Sequence, residues 1–260
     1  MKMLTHGGVI GGEIRPIYFL KAFGLPVLQA RIMSFGACNF ACPYCKRDGQ
    51  FRNSDGSIIT SITASWTDVE SVVRDTVAKG QTVRLSGGDP VMFPSESERI
   101  GRLVKELGGT FSMAHNGSSP RFALKMADLG LHSAAIDLKS TRRGYGEAIG
   151  NSCKRGRMSY DRSLETQHTL AERGVYVDVR TPIFGHTSLD DMLELASDIV
   201  KAGGERTFWT WRLYKPVQGC NWSAPDQTAV TWMINQVKAE FPFLHIGLRA
   251  KWEPEGFLYF

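Results

Sequence analysis

The chain has 260 residues, of which 31 are Lys or Arg and 26 are Asp or Glu, for a net charge of +5. A hydrophobic fraction of 42% with 22% charged residues excludes intrinsic disorder, and the length suffices to bury a full core. No run of 18 apolar residues occurs and residues 1–16 carry no apolar leader, so a cytoplasmic protein that crosses no membrane is expected.

Apolar, β-prone runs alternate with amphipathic segments that carry helix caps. The first run, 27–34 (VLQARIMS), enters a group of cysteines; Ser65 or Thr67 then caps a helix through Lys79, stopped by Gly80. A short run at 82–85 ends in Ser86-Gly87-Gly88-Asp89-Pro90, and a helix over 95–107 stops at Gly108-Gly109. Residues 110–114 lead to Asn116-Gly117, after which Ser119-Pro120 reads as an N-cap and first-turn proline of a helix ending at Gly130. The fourth run is 132–138, followed by a helix over 159–173 and a fifth run at 175–183. Ser188 caps a helix to about residue 202, a sixth run covers 206–214, and Ser223 with Pro225 opens a helix toward Phe241 before a last run at 244–249.

Six strand-then-helix units in a row favour parallel pairing, each helix serving as a crossover. A doubly wound sheet or a barrel fits that order. The cysteines, Gly87-Gly88, Asn116-Gly117, Asp137 with Lys139, and Lys215 all fall at the C-terminal ends of runs, the edge where parallel α/β folds collect their sites. Asp137 and Lys139 alternate along one strand, so they share a face, expected to point inward. Trp209 and Trp211 also share a face, for packing or for lining a substrate. His115 is a substrate contact or a satisfied polar residue, whereas Met33 and Met113 read as core. The basic residues are dispersed, which argues against nucleic acid. Their densest group, Lys154-Arg155-Gly156-Arg157 near Arg142-Arg143, reads as a basic loop, solvated or facing a phosphate or acidic partner.

Five cysteines in an intracellular chain of this size argue against a disulfide framework. Three of them form a C-x3-C-x2-C array, Cys38-Asn39-Phe40-Ala41-Cys42-Pro43-Tyr44-Cys45. Three thiolates so spaced can face one inorganic centre, and soft ligands of this kind select zinc, copper(I) or iron–sulfur clusters. A structural zinc site takes four protein ligands, yet no Cys or His lies between Cys45 and residue 114.

The array resembles the signature of the radical S-adenosylmethionine (SAM) superfamily, with Tyr44 at its aromatic position. That resemblance implies a partial (β/α)6 TIM-like barrel of α/β class, here with extensions: 1–26 before the core, 27–216 as the core barrel, and 217–260 as a capping helix and strand. It also implies a [4Fe–4S] cluster on Cys38, Cys42 and Cys45, SAM bound at the cluster's open iron, and Tyr44 near adenine. Ser86-Gly87-Gly88-Asp89-Pro90 is similar to the family's GGEP-type segment, with Asp89 in place of Glu, and implies backbone access to the SAM ammonium. Asn116-Gly117 and Asp137-Leu138-Lys139 resemble segments of the activating enzymes of glycyl-radical proteins. By that resemblance Asn116, Asp137, Lys139 and Arg180 line the SAM pocket. The departures are Ala114-His115 where that group has Asp-Thr, Ala135 two before Asp137, and an unmatched stretch at 1–24.

Lys139 and Cys220 are the candidate catalytic side chains, Cys220 as a hydrogen-atom donor if it is not simply a small buried hydrophobe. The resemblance further implies an external one-electron donor of flavodoxin or ferredoxin type. Three functions compete. The first is a radical SAM enzyme acting on a glycine of a partner glycyl-radical protein. The second is one acting on an anionic small molecule such as a nucleotide, deazapurine or antibiotic precursor, comparable in size to 7-carboxy-7-deazaguanine synthases. The third is a non-catalytic zinc or iron–sulfur module. The aromatic tail, Trp252, Phe257, Tyr259 and Phe260, is expected to cap the barrel mouth or to pack on its side.

Overall fold

The computed structural model describes residues 1–6, 9–45, 60–250 and 256–260. The first apolar run forms β4 (Leu28–Phe35), preceded by the short strands β1 (Lys2–His6), β2 (Val9–Ile10) and β3 (Ile14–Ile17). There follow β5 (Thr60–Thr63), α1 (Trp66–Ala78), β6 (Thr82–Gly87), α2 (Pro94–Glu106), β7 (Phe111–His115), α3 (Pro120–Asp128) and β8 (Leu131–Asp137). The second half holds α4 (Tyr145–Ala148), α5 (Cys153–Glu172), β9 (Tyr176–Ile183), α6 (Leu189–Gly203), β10 (Thr207–Leu213), α7 (Gln227–Glu240), β11 (His245–Arg249) and β12 (Phe257–Tyr259).

The caps explain where most helices start. Ser65 and Ser188 each form a reciprocal capping box, with Asp68 and Asp191, and Ser119 accepts from the Phe122 amide. Two starts differ from the sequence expectation. α7 is capped by Asp226 rather than Ser223, its carboxylate accepting from the Ala229 amide at 2.8 Å. α5 begins at Cys153, six residues before the expected 159, because Ser152 caps it and Gly156 does not break it. A Cβ at Gly156 would lie 2.2 Å from the Gly146 nitrogen, so the glycine serves close packing of α5 on α4. The expected basic loop at 154–157 is therefore the first turn of a helix, and Arg142 forks onto Asp161 of that helix through two 2.9 Å bonds.

β4, β6, β7, β8, β9, β10 and β11 pair in that order, all parallel. The order is that of a partial TIM-like barrel of α/β class. β11 adds a seventh parallel strand among the described residues, so the sheet runs on past residue 216. Antiparallel strands finish both edges: β1 and β3 pair with β4, β2 and β5 with β1, and β12 with β11. Sequence pattern missed these edge strands because they are short and carry little apolar alternation.

Alternation divides each parallel strand between two environments. On the outer face Met33, Leu85, Met113, Ile136, Val179, Trp209 and Leu248 pack with helix residues such as Val73, Ile100, Met126, Leu170 and Ile199 in the main core. Trp209 and Trp211 are fully buried there, which makes them packing residues; truncating either to alanine is worth about 3–5 kcal/mol. The inner face is polar toward the strands' C-terminal ends. At the other end it is plugged by Ile17, Phe19 and Leu20, from β3 and the 3-10 turn Tyr18–Phe23, against Ala30 and Phe208. Phe257 and Tyr259 pack on Phe208 at this plug, so these two residues of the tail pack beside β11; Trp252 lies outside the described residues.

Candidate active site

The loop after β4 carries Cys38, Cys42 and Cys45, all free thiols, the first and last exposed and Cys42 half-buried. Its turn closes with the Cys45 amide donating to the Cys42 carbonyl at 3.0 Å, and the Ala41 amide donates to Ile149 at the same distance. The Phe40 amide donates to Cys38 Sγ at 3.4 Å and Asn116 Nδ2 approaches it at 3.8 Å. Burial pushes the Cys42 thiol up to about 11, with the Lys139 cation working in the opposite direction. The donor set suits soft iron rather than a hard cation. Among the described residues no three Cys, His, Asp or Glu side chains converge on a single ion. An iron–sulfur cube, with an iron at each of several corners, calls for thiols set wider apart, and backbone and amide N–H groups donating to the sulfurs suit its charge.

The Gly87-Gly88 segment is built into this loop from the next strand. The Gly88 amide donates to the Phe35 carbonyl at 2.6 Å and the Asp89 amide to the Ala37 carbonyl at 2.7 Å. Gly87 has a φ of +104°, and a Cβ on Gly88 would stand 2.0 Å from the Ala37 oxygen. In this structure the two glycines let the β6 turn touch the backbone that presents Cys38.

Asp89 is buried and fully engaged. One oxygen accepts from the Asn116 amide at 2.7 Å; the other meets His115 Nδ1 at 2.8 Å and the Val91 amide at 3.0 Å. His115 is thereby a buried brace packed against Phe122. The Asn116 side chain also turns to the cysteine loop, donating to Asn39 Oδ1 at 2.6 Å, while Asn39 donates to Ser118. Gly117 (φ +78°) lies against Ser163 of α5, where a Cβ would stand 2.5 Å from Oγ. Sequence motifs located these residues at one edge; what they could not show is that Asp89 and Asn116 spend their hydrogen bonds on bracing.

Lys139 and Asp137 do pair, at 2.8 Å. Burial opposes charge on both. The pairing prevails, holding the Asp137 carboxyl below and the Lys139 ammonium well above their ordinary ranges. Lys139 also stands over the Tyr44 ring, 6.0 Å from its centre. Tyr44 packs on Phe184 and Trp222, with Tyr214 edge-on at 6.3 Å, and its hydroxyl is buried without a hydrogen-bond partner. Cys220 reaches the Tyr214 hydroxyl, one ring away from Tyr44. Beside this aromatic group a cavity of about 250 Å³ opens between Lys139, Thr141, Gly144, Phe184 and Trp222. Ser86 and Arg180 lie on the inner face, Ser86 in register with Ser34 and Arg180 with Asp137. Lys215 is exposed.

Against this geometry, the family model described as the radical SAM superfamily matches residues 32–199. The chain belongs to the radical SAM superfamily. It is accordingly a radical SAM enzyme whose cofactors are a [4Fe–4S] cluster and SAM, in a superfamily that generally needs an electron donor. A curated relative from Thermoplasma volcanium, described as a probable GTP 3′,8-cyclase, is 26% identical over 182 residues, covering 68% of this chain and 52% of its own. Four further relatives carry the same description. The chain thus spans about half, or less, of the length of the curated relatives it matches. Among solved structures, Streptococcus suis SuiB bound to S-adenosylmethionine superposes with a TM-score of 0.62 at 13% identity, over 85% of this chain and 46% of that one. A domain of pyruvate-formate lyase-activating enzyme from Bacteroides vulgatus does so at 0.51 and 13%, over 65% and 98%. At such identities these structures share the fold alone.

Proposed function

We propose that this radical SAM enzyme acts on an anionic small molecule held inside the barrel, rather than on a glycine of a partner protein. The observation that carries the reading is the inner face: cationic and polar beneath the cysteine loop, and plugged by Phe19 and Phe208 at the far end. A polar inner face closed at one end by an apolar plug suits a ligand that enters whole. The relatives described as GTP cyclases support the same class of substrate.

When bound, cluster and SAM would supply one-electron reductive cleavage of SAM and, through it, hydrogen-atom abstraction from the substrate. The chain's own residues do the placing. Cys38, Cys42 and Cys45 hold the cluster, with Phe40 and Asn116 donating toward Cys38 and Asp89 fixing the Asn116 backbone. The Asp137–Lys139 pair and Arg180 offer one carboxylate and two cations at the chamber's mouth, suited to the ribose hydroxyls and methionine carboxylate of SAM. Tyr44 and the cavity beside Trp222 take adenine, with Ser86, Gly87 and Gly88 under the methionine amine. Rigid strands keep the reacting atoms in contact and the aromatic cluster keeps water out. Cys220, beside Tyr214, would return a hydrogen atom to the substrate radical, its thiyl radical then taking an electron from the external donor and a proton.

The test is anaerobic incubation of reconstituted enzyme, SAM and reductant with deuterated acidic metabolites. Deuterium is expected in 5′-deoxyadenosine with no second protein present. Label that enters only when a glycyl-radical protein is added would restore the activating-enzyme reading.

A further inference from the structure

The first turns of α5 have no role in the site described above. Residues 142–162 hold six cations against two carboxylates, Glu147 and Asp161, and all eight are exposed, whereas the whole chain carries only +5. Asp161 is engaged by Arg142 and also faces Arg157. Lys154, Arg155 and Arg157 fall at the start of α5, whose first turn has no acidic residue. α1 and α6 place Asp68 and Asp191 there instead. Cations at the positive end of a helix dipole work against the helix, so this arrangement gives up stability. Met158, 48% exposed, shares the face of Lys154 and Arg155 at i+4 and i+3 spacing. The same segment is tied to the cysteine loop. The Ala41 amide donates to the Ile149 carbonyl at 3.0 Å, and a Cβ on Gly150 would stand 2.1 Å from the Ala41 oxygen. Lys154 follows four residues later, at most about 15 Å of chain from that contact. Cys38 and Cys45, on either side of Ala41, are exposed.

We propose that the start of α5, with Lys154, Arg155, Arg157 and Met158, is the docking surface for the one-electron donor, and that this donor is a protein acidic around its own redox group. The inference rests on Cys38, Cys42 and Cys45 holding the cluster. The other cysteines, Cys153 and Cys220, are too few for a second cluster that could relay charge, so the electron arrives from outside. The partner must approach, hand over one electron and leave; it is oxidised by that electron, and no bond is made or broken. Charge steering suits such an encounter, because it raises the on-rate without the large apolar interface that slows release. The exposed methionine adds an adaptable apolar contact among the cations. A nucleic acid fits less well, since the remaining cations of the chain are dispersed rather than aligned along a track.

Two acidic carriers, a flavodoxin and a plant-type ferredoxin, serve as probes. Calorimetric titration of each oxidised carrier into the cluster-loaded enzyme reads binding. Formation of 5′-deoxyadenosine, driven by the reduced carrier or by dithionite, reads delivery. The combined variant Lys154→Glu, Arg155→Glu, Arg157→Glu is compared with wild type and with a control of equal charge change, Arg102→Glu, Lys105→Glu, Lys201→Glu. Wild type and control should bind at least one carrier, more weakly as salt rises, and the α5 variant about tenfold or more weakly still. Its iron content and dithionite-driven rate should match wild type, and it should melt no lower, because glutamates suit a first helical turn. The proposal is overturned if neither carrier binds wild type, if the α5 variant binds as wild type does, or if the control loses as much. It is also overturned if the variant fails to fold, which would make these cations structural, or if a single-stranded oligonucleotide binds this surface more tightly than either carrier. Carrier binding here without 5′-deoxyadenosine under dithionite would instead count against the cluster site alone.

Discussion

Alanine in place of Cys38, Cys42 or Cys45 should leave a colourless, iron-poor protein that folds but no longer cleaves SAM. The wild-type chain, reconstituted without oxygen, should be brown and hold about four irons. The contrast is expected to be all-or-none, because each of the three cysteines is a free thiol on one short loop. Far-UV circular dichroism should change little, since two of the three side chains are exposed and none forms a disulfide. Iron analysis and the visible spectrum read the result. A colourless wild type carrying one stoichiometric zinc would point to the non-catalytic module.

Valine at Gly88 should remove the cluster along with SAM binding. Its Cβ would fall 2.0 Å from the Ala37 oxygen and 2.3 Å from the Ala37 carbonyl carbon, an overlap with backbone that no rotamer relieves. The strand turn and the loop presenting Cys38 must then separate, breaking the bonds from the Gly88 and Asp89 amides. Gly88→Ala brings the same Cβ and should lose iron as well. Full iron content in Gly88→Ala, with SAM affinity alone reduced, would mean that the glycine serves the ligand and not the loop.

Much of the architecture was legible because its punctuation is chemical. Ser65, Ser119 and Ser188 cap the helices they were expected to cap, and buried parallel strands read as apolar runs. The cysteine spacing located the site for the same reason: ligands that serve one cluster lie on one loop. Other features depend on contacts between distant segments. Residues 154–157 read as a basic loop, because only the contact with Gly146 of α4 accounts for Gly156 inside a helix. Asp89 looked like a cofactor contact, although its partners His115 and Asn116 come from the next strand and turn. The inner-face arginines Arg84, Arg180, Arg212 and Arg249 come singly from four strands, and only the sheet register shows that they share a face. A signal was present nonetheless: Arg84 interrupts an apolar run (TVRLSG), as do Asp178 and Arg180 (YVDVRTPI), and a charge inside a buried strand needs a partner or a ligand.

Low-temperature electron paramagnetic resonance of the reduced protein, recorded before and after SAM is added, addresses the central claim most directly. Three cysteines leave one iron of the cluster open, so SAM should shift the g-values of the reduced [4Fe–4S] signal, and 5′-deoxyadenosine should accumulate on turnover. A four-iron signal that SAM leaves unchanged, with no 5′-deoxyadenosine formed, would contradict it.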